Sequence, residues 1–210
     1  IPNLFICPSS PTTPPVNGVV DPSEPPTPGL RLDRGWSNYS GVNGSGASSE
    51  GIWDLTNTFF GDVYVDGVFY PESRTEFAHV TDGSSQTFAL GERVYVVTEF
   101  DPFLEGAAWA GPPGPTKRID EVKSISTKNV RFPINGDPNL FGYYAADKSA
   151  PDGASKTLKI NDFYFGSHHP GGAHFALVDG STHFFADDID INLYKDLATR
   201  NGGEVPEGSF

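Results

Sequence analysis

Short runs in which hydrophobic and polar positions alternate predict that this chain is built mainly from β-strands. The clearest run spans residues 88–100, where branched and aromatic side chains recur with a period of two. Further apolar runs of strand length lie within 1–6, 51–70, 156–165 and 173–178. Segments rich in Gly, Pro, Asn and Asp separate them, so we expect strands joined by long loops.

One segment near the C-terminus has helical spacing instead. Ile189, Leu193 and Leu197 recur every four residues, which gives one apolar stripe and predicts a helix over 188–201. Aspartates at its start can cap the helix and complement its dipole, and Gly202 suits the position after its end. The expected fold class is therefore α+β, mostly antiparallel β, in a single domain over 1–210.

A hairpin over 165–186 is the centre of this prediction. The Pro-Gly-Gly sequence at 170–172 cannot lie inside a regular element, so the chain turns there. A short apolar run follows and ends at Asp179 and Gly180. We expect these two residues to form a type I′ turn, because that turn needs positive φ at both central positions and Gly accepts it readily.

The two-residue turn sets a register for the two strands. It places His174 opposite Phe185 and Ala176 opposite His183, since side chains alternate between the faces of a strand. His174 and His183 become diagonal neighbours on one face. The other face is the predicted core face and carries Phe175, Leu177, Thr182 and Phe184.

Other signals mark turns and loops along the chain. Asp66 and Gly67 predict a second tight hairpin, and 81–87 reads as a turn with several polar side chains. Residues 8–28 are rich in Pro, Ser and Thr, so we expect an extended and irregular segment there. The short basic cluster at 117–128 is interpreted as a solvated face.

Composition narrows the function classes. The net charge of −13 over 210 residues argues against nucleic acid and against anionic membrane surfaces, both of which need a basic footprint. No apolar run approaches the roughly 20 residues that span a bilayer. The chain contains no Met, so we expect that residue 1 is not a translation start and that any targeting segment lies upstream.

Two features near the N-terminus leave alternatives open. Cys7 is the only cysteine, which is unremarkable in a reducing compartment but suggests a lost partner in a secreted protein. Asn38 and Asn43 each begin an Asn-x-Ser pattern and are candidate glycosylation sites.

The spacing of the hairpin residues resembles a known signature. His169, nine intervening residues and then Asp179-Gly180 are similar to the C-terminal His-x9-Asp-Gly motif of a large bacterial family of pilin-like proteins. That family is otherwise a domain of unknown function and has also been catalogued as possibly solute-binding. Further stretches resemble its other motifs in the same order, namely 5–9, 37–44, 66–69, 80–87, 91–92 and 197–204.

The resemblance implies an architecture. Members begin with a type IV prepilin leader and a long hydrophobic helix, followed by a β-rich globular head. This chain resembles the head alone, without the N-terminal pilin helix, and Cys7 would pair with a cysteine just after that helix. The residues expected to have structural roles in the motifs are His169, Pro170, Gly171, Gly172, Asp179, Gly180, Asp82, Gly83, Gly91 and Glu92.

The histidine-rich hairpin is also the main candidate for a metal-binding or catalytic site. His168, His169, His174 and His183 lie near several aspartates, so a transition metal is one hypothesis, and calcium at the Asp- and Gly-rich loops is another. Catalysis by His169 with Asp179 and a neighbouring serine is a third. No nucleophile elbow and no phosphate-cradling loop is present in the sequence.

Three functions follow from these observations. The first is a structural subunit of a cell-surface filament or pseudopilus, which self-associates, is membrane-anchored before assembly, and is neither an enzyme nor dependent on a cofactor. The second is an extracellular solute- or glycan-binding module with clefts formed by Trp36, Trp53 and Trp109. The third is a metal-dependent hydrolase. We expect an extracellular or cell-surface location.

Overall fold

A computed structural model describes residues 5–10, 36–47, 52–53, 61–93, 107–108, 127–144 and 150–203. Its centre is a five-stranded sheet, in which one pairing is parallel and the others are antiparallel. In spatial order its strands are β7 (Thr127–Asn129), β2 (Tyr39–Gly44), β5 (Phe88–Glu92), β8 (Gly172–Leu177) and β9 (Thr182–Ala186).

Smaller elements surround this sheet. Two antiparallel strand pairs join β1 (Trp36–Ser37) to β6 (Ala107–Ala108) and β3 (Ile52–Trp53) to β4 (Val63–Tyr64). The described residues include two short α-helices, α1 (Pro138–Phe141) and α2 (Ile191–Asp196), together with 3₁₀ turns at Phe77–His79 and Ile160–Asp162. The predicted α+β class with mostly antiparallel strands is therefore confirmed.

Aromatic rings form the main core between the sheet and α2. The Phe88 ring lies 4.4 Å from that of Phe175 and 5.0 Å from that of Phe185, measured between centroids. Tyr194 and Leu197 close this layer and are fully buried. Burial of such side chains contributes roughly 1.5–3 kcal/mol each, so this layer is the largest source of stability among the described residues.

The hairpin over the motif forms, but its predicted register is wrong by one residue. Phe175 lies opposite His183 and Ala176 opposite Thr182. Of the loop residues 178–180, only Gly180 has positive φ, and its N–H donates to the carbonyl of Leu177. The loop is thus three residues long, a type I turn followed by a left-handed glycine, instead of the two-residue type I′ turn.

The shifted register exchanges the faces of the returning strand, as a one-residue slip must. Phe175 and Leu177 are in the core as predicted, but Phe185 joins them and Thr182 and Phe184 are exposed. His174 and His183 consequently lie on opposite faces of the hairpin. Their predicted diagonal contact is wrong.

The C-terminal helix is shorter than the predicted span of 188–201. The α2 helix begins after Asp190, whose carboxylate accepts the N–H groups of Asn192 and Leu193, so the predicted aspartate cap is present. The most buried residue of the helix is Tyr194, which was not assigned to the apolar stripe.

Other local predictions also differ from the structure. Asp66 and Gly67 do not turn a hairpin; the N–H of Gly67 instead donates to the carbonyl of Asn43 on β2. Residues 156–165 contain the 3₁₀ turn at Ile160–Asp162 instead of a strand. Lys128 is buried with its ammonium 5.9 Å from the Phe163 ring centroid, so this end of the basic cluster is not a solvated face.

Several predictions lie outside the described residues, including most of the irregular segment 8–28, the run 94–100 and residues 1–4. The predicted N-terminal strand does not extend through Phe5 and Ile6. Among the helices that the structure describes, none has the length and hydropathy needed to cross a bilayer.

Candidate functional site

Three segments that are distant in sequence meet at one end of the central sheet. Glu92 ends β5, and the N–H of Gly166 donates to its carbonyl, which holds the motif loop against this strand. The loop is shaped by Ser167, whose hydroxyl donates to the carbonyl of Gly172 and accepts the N–H of His169. These bonds place the His169 ring beside Glu92.

The third segment brings Cys7 to the same point. Its N–H donates to Oδ1 of Asn38, and the carbonyl of Phe5 accepts the N–H of Asn38. Cys7 is thereby fixed between β2 and the motif loop, with only 1% of its surface exposed. It is a free thiol in the structure. A disulfide to an upstream cysteine stays a prediction.

The three side chains form a tight triangle. Sγ of Cys7 lies 3.4 Å from Oε1 of Glu92 and 3.5 Å from Nε2 of His169, and those two atoms are 3.4 Å apart. The hydroxyl of Ser9 adds a fourth polar atom, 2.9 Å from the sulfur and 3.2 Å from Nε2. Thiol, carboxylate and imidazole are all ligand types for transition metals.

His174 supports the cluster from the neighbouring strand. Its N–H donates to Oε2 of Glu92 at 2.7 Å, and its Nδ1 lies 3.2 Å from the same oxygen. The His169 and His174 rings meet edge to face at 4.9 Å. Glu92 is 3% exposed, whereas the His169 and His174 side chains are 31% and 41% exposed, so the cluster has a buried floor and a rim that solvent reaches.

The remaining two histidines of the predicted metal set do not join this cluster. His168 is exposed, and His183 lies on the opposite face of the hairpin with its Nε2 3.2 Å from the hydroxyl of Ser181. The sequence therefore placed His169 and His174 in one candidate metal set but missed Glu92 and Cys7 as their partners. Among the described residues, Cys7, Glu92 and His169 are the only group of three ligand-type side chains so closely spaced.

The two motif aspartates have local structural contacts. Oδ1 of Asp179 accepts the N–H and hydroxyl of Ser181, and these bonds hold the pKa of Asp179 below its usual value. Asp82 accepts the N–H groups of Gly202 and Gly203, which ties the C-terminal turn to the 81–87 segment. Neither carboxylate contacts the His169 ring, so the predicted pairing of His169 with Asp179 does not form.

The arrangement does not match a nucleophilic relay. In a catalytic triad the nucleophile and the orienting acid contact different nitrogens of the histidine. Here Cys7, Ser9 and Glu92 all face the same atom, Nε2 of His169. The contacts converge on one ring nitrogen and are not arranged as a nucleophile, a base and an orienting acid in series.

The structure tests the predicted glycosylation sites but not the predicted aromatic cleft. Asn38 and Asn43 are buried, and Nδ2 of Asn43 donates to Asn129, so neither amide is accessible to a glycan in this fold. The proposed aromatic cleft stays a prediction, because the side chains of Trp36, Trp53 and Trp109 lie outside the described part of the structure.

Comparison with known proteins gives one match. The family described as a protein of unknown function (DUF1559) matches residues 3–192, which is most of the chain. No curated protein and no solved structure is significantly similar to it. The matched span contains every residue of the cluster described above. The chain therefore belongs to the DUF1559 family of proteins of unknown function.

Proposed function

We propose that this chain is the head domain of a pilin-like protein and acts by assembly into a cell-surface filament or pseudopilus, not by catalysis. The full-length protein would be membrane-anchored before assembly and extracellular or surface-exposed afterwards. The proposal starts from the motifs along the chain that resemble pilin-like proteins, and from the structural use of the motif residues. Asp82 and Asp179 direct their carboxylates at backbone N–H groups, which is a bracing role.

The observation that carries the proposal best is an uncovered apolar row on the outer face of the central sheet. Leu90 lies opposite Gly41 on one side and Ala176 on the other, and it is 42% exposed. Phe69 covers Gly41, and on the edge strand Phe184 lies opposite His174, diagonal to Ala176, whose direct partner is Thr182. Both rings are more than two-fifths exposed. Exposed apolar side chains grouped on one face of a sheet in this way are typical of an interaction surface.

The net negative charge of the chain is also consistent with a role in assembly. A net charge of −13 keeps isolated heads apart in solution, so specific assembly needs a local apolar contact to overcome the repulsion. Among the described residues, β9 is the outermost strand on its side of the central sheet and carries an exposed aromatic residue, and an edge of this kind can pair with another chain.

The experiment is an assembly assay on the complete gene product in its native host. Leu90→Lys combined with Phe184→Lys places two cations on the apolar row without entering the core. We expect loss of surface filaments in electron micrographs, with the thermal midpoint of the isolated head unchanged within about 2 °C, as is usual for surface substitutions.

Leu140→Lys is the matched control, because Leu140 is 77% exposed and lies on α1, away from the row. It should leave assembly unchanged. A wild-type protein that forms no polymer under any native growth condition would contradict the proposal. So would normal assembly of the doubly substituted protein.

A further inference from the structure

We infer that Cys7, Glu92 and His169 form a zinc-binding site that fastens the N-terminal segment to the central sheet. The inference goes beyond the proposed assembly role and does not depend on it. It rests on the spacing of the three ligand atoms, on the chemistry of the donors and on the residues that hold them.

The spacing matches a tetrahedral site. With Zn–S near 2.3 Å and Zn–N and Zn–O near 2.1 Å, adjacent ligand atoms in a tetrahedron lie about 3.4 to 3.6 Å apart. The three separations between Sγ of Cys7, Oε1 of Glu92 and Nε2 of His169 are 3.4, 3.5 and 3.4 Å. One ion can therefore contact all three atoms with little movement of the side chains.

The donor set selects the type of metal. A thiolate and an imidazole favour zinc and similar transition metals over calcium or magnesium, which take oxygen ligands. One carboxylate oxygen completes three protein ligands and leaves a fourth position. The hydroxyl of Ser9 lies beside that position, and the partly exposed His169 gives water access to it.

Electrostatics favours a cation at this point. The sulfur of Cys7, the carboxylate of Glu92 and one ring nitrogen of His169 converge in a buried space, and each carries lone pairs. Because Oε2 of Glu92 accepts the N–H of His174, the other oxygen, Oε1, is held facing the sulfur and the ring nitrogen. A divalent ion replaces several weak contacts at 3.4 to 3.5 Å with coordinate bonds.

The surroundings hold the ligands in place, as outer partners do in established metal sites. His174 fixes the carboxylate of Glu92 through its N–H and its ring, and Asn38 fixes the backbone of Cys7. The ligands are separated by 85 and 162 residues from Cys7. A bound ion is therefore a cross-link between three distant segments, which a lone cysteine cannot provide by a disulfide within this chain.

The test is a zinc titration of the chelator-treated 210-residue protein, followed by calorimetry and thermal unfolding. We expect one zinc ion per chain and a rise in the thermal midpoint on binding, since a ligand specific to the folded state stabilises it. Cys7→Ala and His169→Gln should each weaken zinc binding at least about 100-fold. His174→Gln should weaken it about 10-fold, the usual effect of an outer partner.

His183→Gln is the matched control, because His183 lies on the same hairpin but on its other face. It should leave both the stoichiometry and the affinity unchanged. The inference is overturned if the wild-type protein binds no zinc. It is also overturned if Cys7→Ala and His169→Gln bind zinc as tightly as the wild type, because the ion would then lie elsewhere.

Discussion

Two buried polar clusters among the described residues differ in how closely their groups are hydrogen-bonded. In the first, Asn129 of β7 accepts from the N–H of Tyr64 and from Asn43, and donates to the carbonyl of Asp62 and to Asp162. Every hydrogen-bonding position of its amide has a partner. The second is the Cys7–Glu92–His169 cluster.

The carboxylate of the first cluster is paired on both oxygens. Oδ1 of Asp162 accepts from Asn129, and Oδ2 accepts from Arg131 at 3.0 Å. Burial raises the pKa of Asp162, while these two partners oppose that shift. The Asn129 amide and the Asp162 carboxylate are thus fully paired, although Oδ1 of Asn43 has no partner among the described residues, and the cluster has a structural role.

The second cluster joins a thiol, a carboxylate and an imidazole by longer and weaker contacts. Oε1 of Glu92 faces the Cys7 sulfur and Nε2 of His169 at 3.4 Å, longer than the contacts around Asn129. Burial alone therefore does not identify a binding site. The distinguishing feature of the second cluster is that three metal-ligand side chains converge on one point with long contacts between them.

Asn129→Ala has the largest expected effect, because it breaks the complete cluster. The substitution leaves the N–H of Tyr64 and Oδ1 of Asp162 without partners in a buried position. Orphaned buried groups cost about 1–3 kcal/mol each, so we expect a loss of roughly 3–4 kcal/mol in unfolding free energy. Chemical denaturation measures this value.

Asn139→Ala is its control, since Asn139 is exposed and its contacts with Asp137 and Tyr143 are at the surface. We expect a change within about 0.5 kcal/mol. Equal losses in the two variants would remove the distinction between a buried complete network and a surface one.

Arg93→Met is expected to change stability by a smaller amount and in the opposite direction. Arg93 follows Glu92, is 1% exposed, and among the described residues only its Nε has a partner, the hydroxyl of Ser40. Burial lowers the pKa of Arg93 to about 10, so the charged form costs stability at neutral pH and this cost is relieved only as the pH rises past that value. Met should stabilise the protein by about 1–3 kcal/mol.

Arg131→Met is the comparison variant for Arg93→Met. The Arg131 side chain is 45% exposed and paired with Asp162, so Arg131→Met should destabilise the protein by about 1 kcal/mol. Destabilisation by both substitutions, seen in denaturant midpoints, would mean that the Arg93 guanidinium has a favourable partner.

Glu92→Gln sharpens the comparison at the incomplete cluster. In metal-free protein the amide oxygen of the new Gln side chain can accept from the N–H of His174. Its amide N–H can donate to the sulfur of Cys7, so both contacts of the carboxylate are replaced. We therefore expect a change within about 1 kcal/mol without metal. The same variant should lose the stabilisation that zinc gives to the wild type. A large loss of stability without metal, measured by thermal unfolding, would mean that Glu92 supports the metal-free fold as strongly as Asn129 does.

Asp179→Ala has the smallest expected effect and concerns an exposed carboxylate. Ser181 holds the pKa of Asp179 below 3.8 in the folded state, so its contribution is present above that pH and is lost as the pH falls through the lowered folded value. The variant should show a flatter acid limb in a plot of stability against pH. An unchanged acid limb would show that the Ser181 contact is not maintained in solution.

The sequence predicted the fold class better than it predicted the contacts. Asp179 and Gly180 correctly indicated the hairpin, but a two-residue and a three-residue loop are both compatible with them. Phe184 and Phe185 are equally apolar, so the pattern could not decide which of them enters the core. The loop is one residue longer than predicted, and this difference determines which of the two rings is buried.

The candidate site was predicted only in part, for a different reason. His169 and His174 were identified because they belong to one local motif. Cys7 approaches His169 across 162 residues, through the Asn38 anchor, and no period or turn signal encodes that approach. Glu92 follows Gly91, which has no side chain and lies against the rings of Phe165 and Phe175. Such long-range packing is not visible in a single sequence.

The most direct test of the inferred metal site is cobalt substitution of the metal-free wild-type protein, read by absorption spectroscopy. Coordination by Cys7, Glu92 and His169 predicts a thiolate-to-cobalt charge-transfer band and the intense visible bands of a tetrahedral ion, both saturating at one equivalent. Both should be absent from Cys7→Ala and unchanged in His183→Gln. A wild-type spectrum without the thiolate band would contradict the account, because the sulfur would then not be a ligand.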